Sequence, residues 1–491
     1  MMYYINNDFY IMGETMLILL LPAAVMVLLA LLLIRAWRFR PPDIPVPTDL
    51  DTDIPIDANT AVAHLREMIR CRTVSAPALR VEREFEKFRN LLPKCYPHVF
   101  ASCTVERVDT TGLLIRWQGQ SPESPAVFLS HYDVVPAEDA AWEHPPFDAV
   151  LKDGVLWGRG ALDMKNQLCG VLEAMEYLIA TGFTPKTDVY MALSGEEEIM
   201  GSTAGSIRDL FHRRGIFPAF VIDEGGDIMD GFFPGADVPC AMVGIGEKGA
   251  VHLTFTARNA GGHASVPTKN NPLFRLCRAM ARIERHPFPL RSGPALEHLV
   301  DTMGRYCGFS QRLLLANRRL LRPLYFRWLR KTGGMIAASA QTTFALTQCQ
   351  CGTAPNVIPT EAAMTANLRL LWGDSTASVI QRLERIIGDS SIEITAQTAA
   401  EPRPDSEMTQ GWEQLTTAIR ATWPDAVVTP YLMVASTDAR HWRDICPNVY
   451  RFSAKCVTGA EKATVHGNNE RIRIENTTNA AKFFVRLMRS C

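Results

Sequence analysis

Short apolar runs alternate with amphipathic stretches through the middle of this 491-residue chain. Residues 126–135, 187–193 and 219–222 are apolar runs typical of buried strands. Residues 164–181 carry apolar side chains at helical spacing, and a second helical pattern lies between the last two strands. Strand and helix patterns that alternate in this way predict an α/β domain whose sheet has parallel members.

The pattern changes after residue 248 and returns after residue 400. Residues 249–259 alternate as a half-exposed strand does, and helical patterns at 272–284 and 375–387 are interleaved with further strand patterns. This predicts an α+β layer over residues 248–400, inserted between the two parts of the main domain, 58–247 and 401–491. Residues 292–332, rich in Leu and Arg, are interpreted as a helical extra within the inserted layer.

The first 57 residues differ from the rest of the chain. Met16–Ile34 has no charged residue, and as a helix it would span about 28 Å, close to the hydrocarbon thickness of a bilayer. No basic residue precedes it and no small-residue cleavage site follows, which favours a membrane anchor over residues 1–40 against a signal peptide. Residues 41–57, with five prolines and five aspartates, predict an extended linker. We therefore expect a single-pass membrane protein, whose side of the membrane stays open.

Composition excludes some partners. The 51 Lys and Arg residues nearly balance the 52 Asp and Glu residues, so the chain has no electrostatic footprint for nucleic acid. The 12 cysteines are scattered without C-x-x-C pairs, and a disulfide framework belongs to short secreted chains. Most of these thiols are therefore expected to pack in the core.

Polar side chains follow the predicted strands, where α/β proteins collect functional groups. His131 and Asp133 stand two residues apart on one strand and therefore face the same side. Asp163 follows a Gly-x-Gly turn, a place where Asp is ordinarily a helix N-cap. The triplet Glu196–Glu198 follows the next strand, and its ordinary interpretation is the solvated start of a helix. Each feature alone is ambiguous.

Two further groups complete the set. Asp223 follows another apolar strand, and His466 lies in the polar loop TVHGNNE. Two histidines with several carboxylates are a nitrogen-and-oxygen ligand set suited to zinc or a similar divalent ion. Two such ions would need a shared carboxylate bridge and a nucleophilic water between them.

Six short motifs give the chain a resemblance to a known family. SHYDVVP, WGRGALDMK, SGEEEIMG, VIDEGG, GGHAS and VHGNNERI occur in the order and near the spacing of the peptidase M20 family, across residues 58–491. With its anchor and long insert, the chain looks most like the subgroup of carboxypeptidase S and the N-fatty-acyl-amino-acid hydrolases. The resemblance implies a zinc-dependent α/β catalytic domain with an inserted lid domain that often forms homodimers.

The resemblance also implies roles for individual residues. His131 and Asp223 would bind one zinc ion, Glu198 and His466 the other, and Asp163 would bridge the two ions. His441 is the alternative to His466 as the last ligand, and the family motif favours His466.

The remaining implied roles concern catalysis and substrate. Glu197 would be the general base, Asp133 the outer partner of His131, and Glu196 a bystander. His263 would polarise the scissile carbonyl, often across a dimer. Substrate contacts are implied for two lid residues, Asn356 and Arg369.

The expected activity is hydrolysis of an amide bond, releasing an amino acid from a peptide C-terminus or from an N-acyl amino acid. A metal-bridged water would attack while Glu197 takes its proton. An inactive binding protein with the same fold is the main alternative, although the chain keeps every ligand and the base. A retaining glycosidase is weaker still, because it has no use for the two histidines.

Overall fold

A computed structural model of the protein describes residues 22–42 and 54–491. Most of the predicted Pro/Asp linker, residues 43–53, lies outside these ranges. The helices of the described ranges are α1 (22–38), α2 (Ala58–Ile69), α3 (Glu82–Cys95), α4 (Pro97–Ser102), α5 (Asn166–Ala180), α6 (Thr203–Arg213), α7 (Pro272–Arg285), α8 (Pro294–Met303), α9 (Phe309–Ala316), α10 (Arg322–Thr332), α11 (Gly334–Ala338), α12 (Thr376–Ile387), α13 (Gln410–Thr422), α14 (Gly459–Lys462) and α15 (Glu475–Met488).

The strands of the same ranges belong to four sheets. They are β1 (Thr104–Val108), β2 (Gly112–Trp117), β3 (Ser121–His131), β4 (Val150–Lys152), β5 (Val155–Trp157), β6 (Thr187–Ser194), β7 (Phe220–Met229), β8 (Cys240–Glu247), β9 (Gly249–Arg258), β10 (Gly262–His263), β11 (Thr343–Cys351), β12 (Val357–Ile358), β13 (Glu361–Leu370), β14 (Glu393–Ala400), β15 (Val427–Met433), β16 (Val449–Cys456) and β17 (Arg471–Arg473).

The large sheet has eight strands in the order β1-β2-β6-β3-β7-β16-β8-β15. Strand β3 runs parallel to β6 and β7, and β7 runs parallel to β16, whereas β1, β2 and β8 contribute antiparallel pairs. The predicted α/β class is confirmed, and the sheet is mixed. Its central strands are buried on both faces, as their continuous apolar runs require.

Helices α5 and α15 cover one face of the large sheet and pack closely on each other. A Cβ at Gly170 would lie only 2.7 Å from the Cβ of Ala480, so this crossing requires glycine. Helix α6 covers the opposite face, where Ile207 and Phe211 pack with Val127 and Val221 of the sheet. The strand ends between these layers are thereby held in fixed positions.

The second unit is a four-stranded antiparallel sheet in the order β11-β13-β9-β14. Helices α7 and α12 pack on it through a separate apolar core that includes Leu276, Ile283, Val379 and Leu383. This sheet occupies part of the segment that the sequence predicts as an inserted α+β layer.

The helical extra, residues 292–332, was predicted to belong to the inserted layer, and the structure places it elsewhere. Helix α8 packs on β15 and β8 of the large sheet, and α9–α11 pack beside it, with buried side chains in the apolar core of the large sheet rather than of the inserted one. Leu296, Leu299 and Val300 belong to the same apolar core as the large sheet. The apolar face of α8 therefore fills the space beside β15 at the edge of the main domain.

Helix α1 covers residues 22–34 of the apolar segment Met16–Ile34 within the predicted anchor, and residues 1–21 lie outside the described ranges. Among residues 22–42 and 54–491, no helix is long and apolar enough to cross a membrane, so the predicted transmembrane helix is not supported.

Candidate metal centre

Neighbouring strands of the large sheet bring the motif residues to one edge. His131 is the last residue of β3, and Glu197 and Glu198 begin a short 3-10 turn immediately after β6. Glu224 lies within β7. Asp163 arrives through a turn at Gly160, whose φ of +85° is a conformation that favours glycine. The carboxyl ends of parallel strands thus converge as expected.

Asp163 lies between the two histidines. Its Oδ1 is 3.1 Å from His131 Nε2, and its Oδ2 is 3.3 Å from His466 Nε2. His466 Nε2 is also 3.0 Å from Glu198 Oε2. A carboxylate with one oxygen toward each histidine has the arrangement of a ligand that bridges two ions.

Asp133 fixes both His131 and the glutamates. His131 Nδ1 is 3.1 Å from the backbone oxygen of Asp133 and 3.4 Å from its Oδ1, which leaves Nε2 facing the cluster. The fully buried carboxylate also accepts hydrogen bonds from the backbone N–H groups of Glu197 and Glu198. This one side chain therefore couples the end of β3 to the turn after β6.

The structure does not bring the carboxylate of Asp223 to this cluster. Asp223 accepts hydrogen bonds from the backbone N–H groups of Glu224, at 2.8 Å, and Ala439, at 2.7 Å. The neighbouring Glu224 instead places Oε1 3.3 Å from His131 Nε2. The pairing of β7 with β16 shifts register between the partners of Asp223 and Gly226, and this irregularity presents Glu224 rather than Asp223 to His131.

Burial and crowding of like charges perturb the acids of the cluster. Burial raises the pKa of Glu197, Glu198 and Glu224, that of Glu224 to about 8, with the charge of Asp163 adding to the effect on Glu224. Hydrogen bonds to Asp163 and Glu198 raise the pKa of His466 to about 10. The concentrated negative charge of the cleft thus favours a positively charged partner, a role that a bound cation would take.

The donor set fits a pair of divalent cations. His131, Asp163 and Glu198 form one group whose ligand atoms lie within 4.8 Å of one another, and His131, Glu197 and Glu224 form another. Imidazole nitrogen with carboxylate oxygen is the chemistry of catalytic zinc sites. His131 faces one carboxylate oxygen of Asp163 and His466 faces the other, so each histidine could join a different ion.

Glu196 and His441 take no part in the cluster. Glu196 is not solvated as predicted: it accepts a hydrogen bond from Thr203 Oγ1 at 2.8 Å and lies 3.4 Å from Arg80. His441 lies in the turn Asp438–Asp444, packed near Gly205 of α6, with a buried Nε2 that has no hydrogen-bond partner. Among the described histidines, His466 rather than His441 faces Asp163.

The lid residues His263 and Asn356 lie together, away from the cluster. Strand β10 pairs His263 with Val357, and the backbone oxygen of Asn356 accepts a hydrogen bond from Ala264. Both residues are exposed, and the His263 ring lies 2.7 Å from Ser265 Oγ. Neither residue lines the cleft that contains Glu197.

Arg369 lies closer to the reaction centre. It stands near the end of β13, and its guanidinium donates to Ser436 Oγ at 3.2 Å. Ser436 lines the cleft with Glu197, Glu198, Glu224 and His466, around a cavity of about 320 Å³. The structure thus brings one of the two predicted substrate residues to the cleft rim and leaves Asn356 outside it.

Glu470 is a residue that the sequence analysis missed. It is fully buried, and its carboxylate accepts hydrogen bonds from the backbone N–H groups of Gly160, Leu162 and Asp163 and from Arg159. It therefore clamps the turn that presents Asp163. The only sequence signal was its place in the motif VHGNNERI.

Comparison with known proteins agrees with this geometry. The profile described as Peptidase family M20/M25/M40 matches residues 127–490. The chain belongs to this family. Its members among similar proteins include a probable carboxypeptidase S-like protein of Dictyostelium discoideum, 34% identical over 83% of this chain and 80% of that protein. An N-fatty-acyl-amino acid synthase/hydrolase of Bos taurus is 33% identical over 85% of each chain.

Solved structures share the fold of this M20 protein. An M20 family metallo-carboxypeptidase from Sulfolobus solfataricus superposes with a TM-score of 0.64 at 17% identity, covering 87% of this chain and 98% of that one. Human carnosine dipeptidase 1 gives 0.62 at 14% identity, covering 88% and 96%. The fold and the M20 membership predicted from the motifs are confirmed, and the relatives are named as carboxypeptidases and as N-acyl amino acid hydrolases.

Proposed function

We propose that this M20 protein hydrolyses the amide bond of N-acyl amino acids by means of a centre that holds two divalent cations. Zinc is the cation with which we propose to test it. The proposal rests above all on Asp163, whose two carboxylate oxygens face His131 and His466 separately. Glu198 joins His466, and Glu224 replaces the predicted Asp223 beside His131. Two divalent cations held by these residues would lower the pKa of a bound water and polarise the substrate carbonyl.

Glu197 is proposed as the general base. Its side chain lines the cleft, lies in the second ligand-like group with His131 and Glu224, and is 3.7 Å from Arg440. Burial raises its pKa well above the usual value, which suits a group that must take a proton and return it near neutral pH. Glu197 would accept the proton of the attacking water and deliver it to the nitrogen of the leaving amino acid.

Arg369 is proposed to bind the carboxylate of the amino-acid product. Its guanidinium reaches the cleft rim at Ser436, and burial lowers its pKa. The planar fork of arginine can hold a carboxylate through two hydrogen bonds.

The apolar side of the cleft favours an acyl chain over a dipeptide. Four methionines line it, Met229, Met242, Met335 and Met433. Methionine side chains are apolar and adaptable, so they suit a flexible hydrocarbon chain.

The charges in the cleft support the same choice. Asp227 lies between Lys455 and Lys462, at 3.1 and 2.6 Å. Among the described residues lining the cleft, every carboxylate outside the Asp163 cluster is therefore neutralised by lysine. A dipeptide would bring a free ammonium group that finds no unpaired acid there.

The lid histidine is proposed to act on a second copy of the chain. His263 and Asn356 are adjacent and exposed on the lid, away from their own cleft. Placing them over the cleft of a partner subunit would allow His263 to donate to the carbonyl oxygen. This proposal requires a homodimer in solution.

Hydrolysis assays of the purified full-length chain test the function. We expect release of amino acid from long-chain N-acyl amino acids, loss of activity with a chelator and recovery with zinc. Glu197→Gln should be inactive while it retains its metal. Activity that a chelator leaves unchanged would contradict the metal centre. No activity of a metal-loaded chain on acyl or peptide substrates would favour the inactive binding protein instead.

The acyl-chain assignment has its own test. Met335→Trp should fill the apolar end of the cleft, lowering kcat/KM for long acyl chains while leaving N-acetyl substrates nearly unchanged. Met408→Trp is the matched control, because Met408 is exposed. Equal loss on short and long substrates in Met335→Trp, or faster turnover of dipeptides than of acyl substrates by the wild type, would contradict the assignment.

A further inference from the structure

The helical extra, residues 292–332, which we call the helical insert from here on, carries an excess of positive charge. Between residues 302 and 360 the sequence has no aspartate or glutamate, yet residues 305–331 contain seven arginines and one lysine. The whole chain is nearly neutral, so this excess is local. Local clusters of four to eight basic residues create a strong attraction for anionic surfaces.

Most of this positive charge faces solvent without a partner. Arg319, Arg322, Arg327 and Arg330 are exposed, and in the described ranges no carboxylate lies within ion-pairing distance of any of them. Arg318 shows the contrast, because it is buried and pairs with Glu297 and Asp301. The exposed arginines are therefore available to an external anion.

Apolar side chains stand between these arginines. Leu320, in the turn before α10, and Leu324, in α10, are 54% and 55% exposed, whereas Tyr325 and Leu329 of α10 are buried against the main domain. Helix α10 is thus held by one face and presents Leu324 and arginines on the other. We call the exposed set the insert surface; its members are Arg319, Leu320, Arg322, Leu324, Arg327 and Arg330.

The helical insert contacts α1 beside the insert surface. Asn317, two residues before Arg319, donates a hydrogen bond to the backbone oxygen of Leu32 in α1, and Arg305 lies over the ring of Phe39, which follows α1. Trp37 of α1 is 58% exposed with Arg40 stacked on its ring. Exposed apolar side chains and arginines therefore occur both on the insert and at the end of α1 that it contacts.

We propose that the insert surface docks on a lipid bilayer that contains anionic phospholipids. Exposed leucines among arginines match the two contributions that hold peripheral helices at a membrane, namely apolar burial and attraction to anionic headgroups. A nucleic-acid surface would not need the leucines, and the chain as a whole is nearly neutral rather than basic.

Docking would place a membrane beside the catalytic cleft. Met335, in α11 directly after α10, lines the cleft that contains Glu197. The insert therefore connects the bilayer-facing surface to the cleft wall. The docking proposal itself does not depend on the proposed hydrolase activity.

Hydrogen exchange of the full-length chain in lipid nanodiscs tests docking, whether or not residues before α1 also bind lipid. We compare nanodiscs of phosphatidylcholine alone with nanodiscs in which about one third of the lipid is phosphatidylserine. The amides of residues 319–331 should exchange at least ~10-fold more slowly in the anionic nanodiscs, and added salt should remove the difference.

Charge reversal supplies the decisive variants. Arg319→Glu/Arg322→Glu/Arg327→Glu/Arg330→Glu should abolish the anionic-lipid protection. A control with the same change in charge reverses four exposed arginines elsewhere, Arg107, Arg213, Arg278 and Arg385, and should keep it.

A second variant separates the apolar contribution from the charges. Leu320→Ser/Leu324→Ser should weaken protection in the anionic nanodiscs at low salt, and the protection that remains should still require anionic lipid. Equal exchange in the two kinds of nanodisc, or equal loss in the control, would overturn the proposal. Protection by nucleic acid but not by anionic lipid would also overturn it.

Discussion

Replacing Glu470 by glutamine tests how the structure holds Asp163. The carboxylate receives four hydrogen bonds: from Arg159 Nη1 at 2.7 Å and from three backbone N–H groups of residues 160, 162 and 163 at 2.7 to 3.1 Å. Glutamine has nearly the same shape, but one acceptor oxygen becomes an NH₂ group that faces donors. Arg159 also loses its buried counter-charge.

The expected cost follows from these contacts. Breaking a buried ion pair by removing one partner costs about 3–5 kcal/mol. Arg159 keeps a hydrogen bond to the backbone oxygen of Gly467 at 2.8 Å, which places the expected loss near the lower end, about 3 kcal/mol. Because the turn presents Asp163 to both histidines, metal affinity should also fall by about 10- to 100-fold.

Urea unfolding of the chelated protein measures the first effect, and zinc titration measures the second. Glu475→Gln is the control: its exposed ion pair with Arg473 should contribute less than about 1 kcal/mol and no metal affinity. If Glu470→Gln unfolds and binds zinc like the wild type, the turn is held by other contacts and our account of Glu470 is wrong.

The remaining predictions concern individual side chains. Glu197→Gln should keep both metals while kcat falls by about two to four orders of magnitude; a normal kcat would exclude it as the base. Glu196→Gln should keep metals and kcat but lose up to about 1 kcal/mol of stability with its ion pair to Arg80; loss of metal would contradict this. His263→Ala mixed with Glu197→Gln should regain activity through hybrid dimers, whereas a monomeric chain would exclude this. Burial lowers the pKa of His441 from 6.5 to about 4, so the free energy of unfolding that the neutral ring contributes above pH 6.5 is lost as the pH falls toward 4. In urea unfolding, His441→Gln should therefore lose about 2 kcal/mol less stability than the wild type between pH 7 and pH 5. An equal loss in the two proteins would contradict this assignment.

Local sequence patterns were sufficient to predict much of the large sheet. The continuous apolar runs of β3, β6 and β7 predicted buried strands, and the helical spacing of α5 predicted the helix between them. Functional groups collect at the carboxyl ends of such strands, which is why His131 and the triplet Glu196–Glu198 were candidates from the sequence. The resemblance to the M20 family then assigned the ligand role to Glu198.

The sequence alone could not decide whether Asp223 or Glu224 faces His131. Adjacent residues on a strand face opposite sides, and which one faces His131 depends on the register shift between β7 and β16. A strand of another segment sets that shift, so no local pattern reports it. The motif VIDEGG contains both acids and fits either register.

The placement of the helical insert was hidden for a similar reason. Its position in the chain, between α7 and β11, suggested that it belongs to the lid. Its buried leucines instead complete the core beside β15, a strand more than a hundred residues later. Amphipathic spacing shows that a helix has a partner but not which partner.

Metal stoichiometry of the full-length chain tests the central claim most directly. After chelation and reloading with zinc, elemental analysis should find two ions per wild-type chain, two in Asp223→Asn and fewer than two in Glu224→Gln. One ion or none in the wild type would contradict the two-cation centre, and loss of an ion in Asp223→Asn but not in Glu224→Gln would show that the register at β7 has been assigned wrongly.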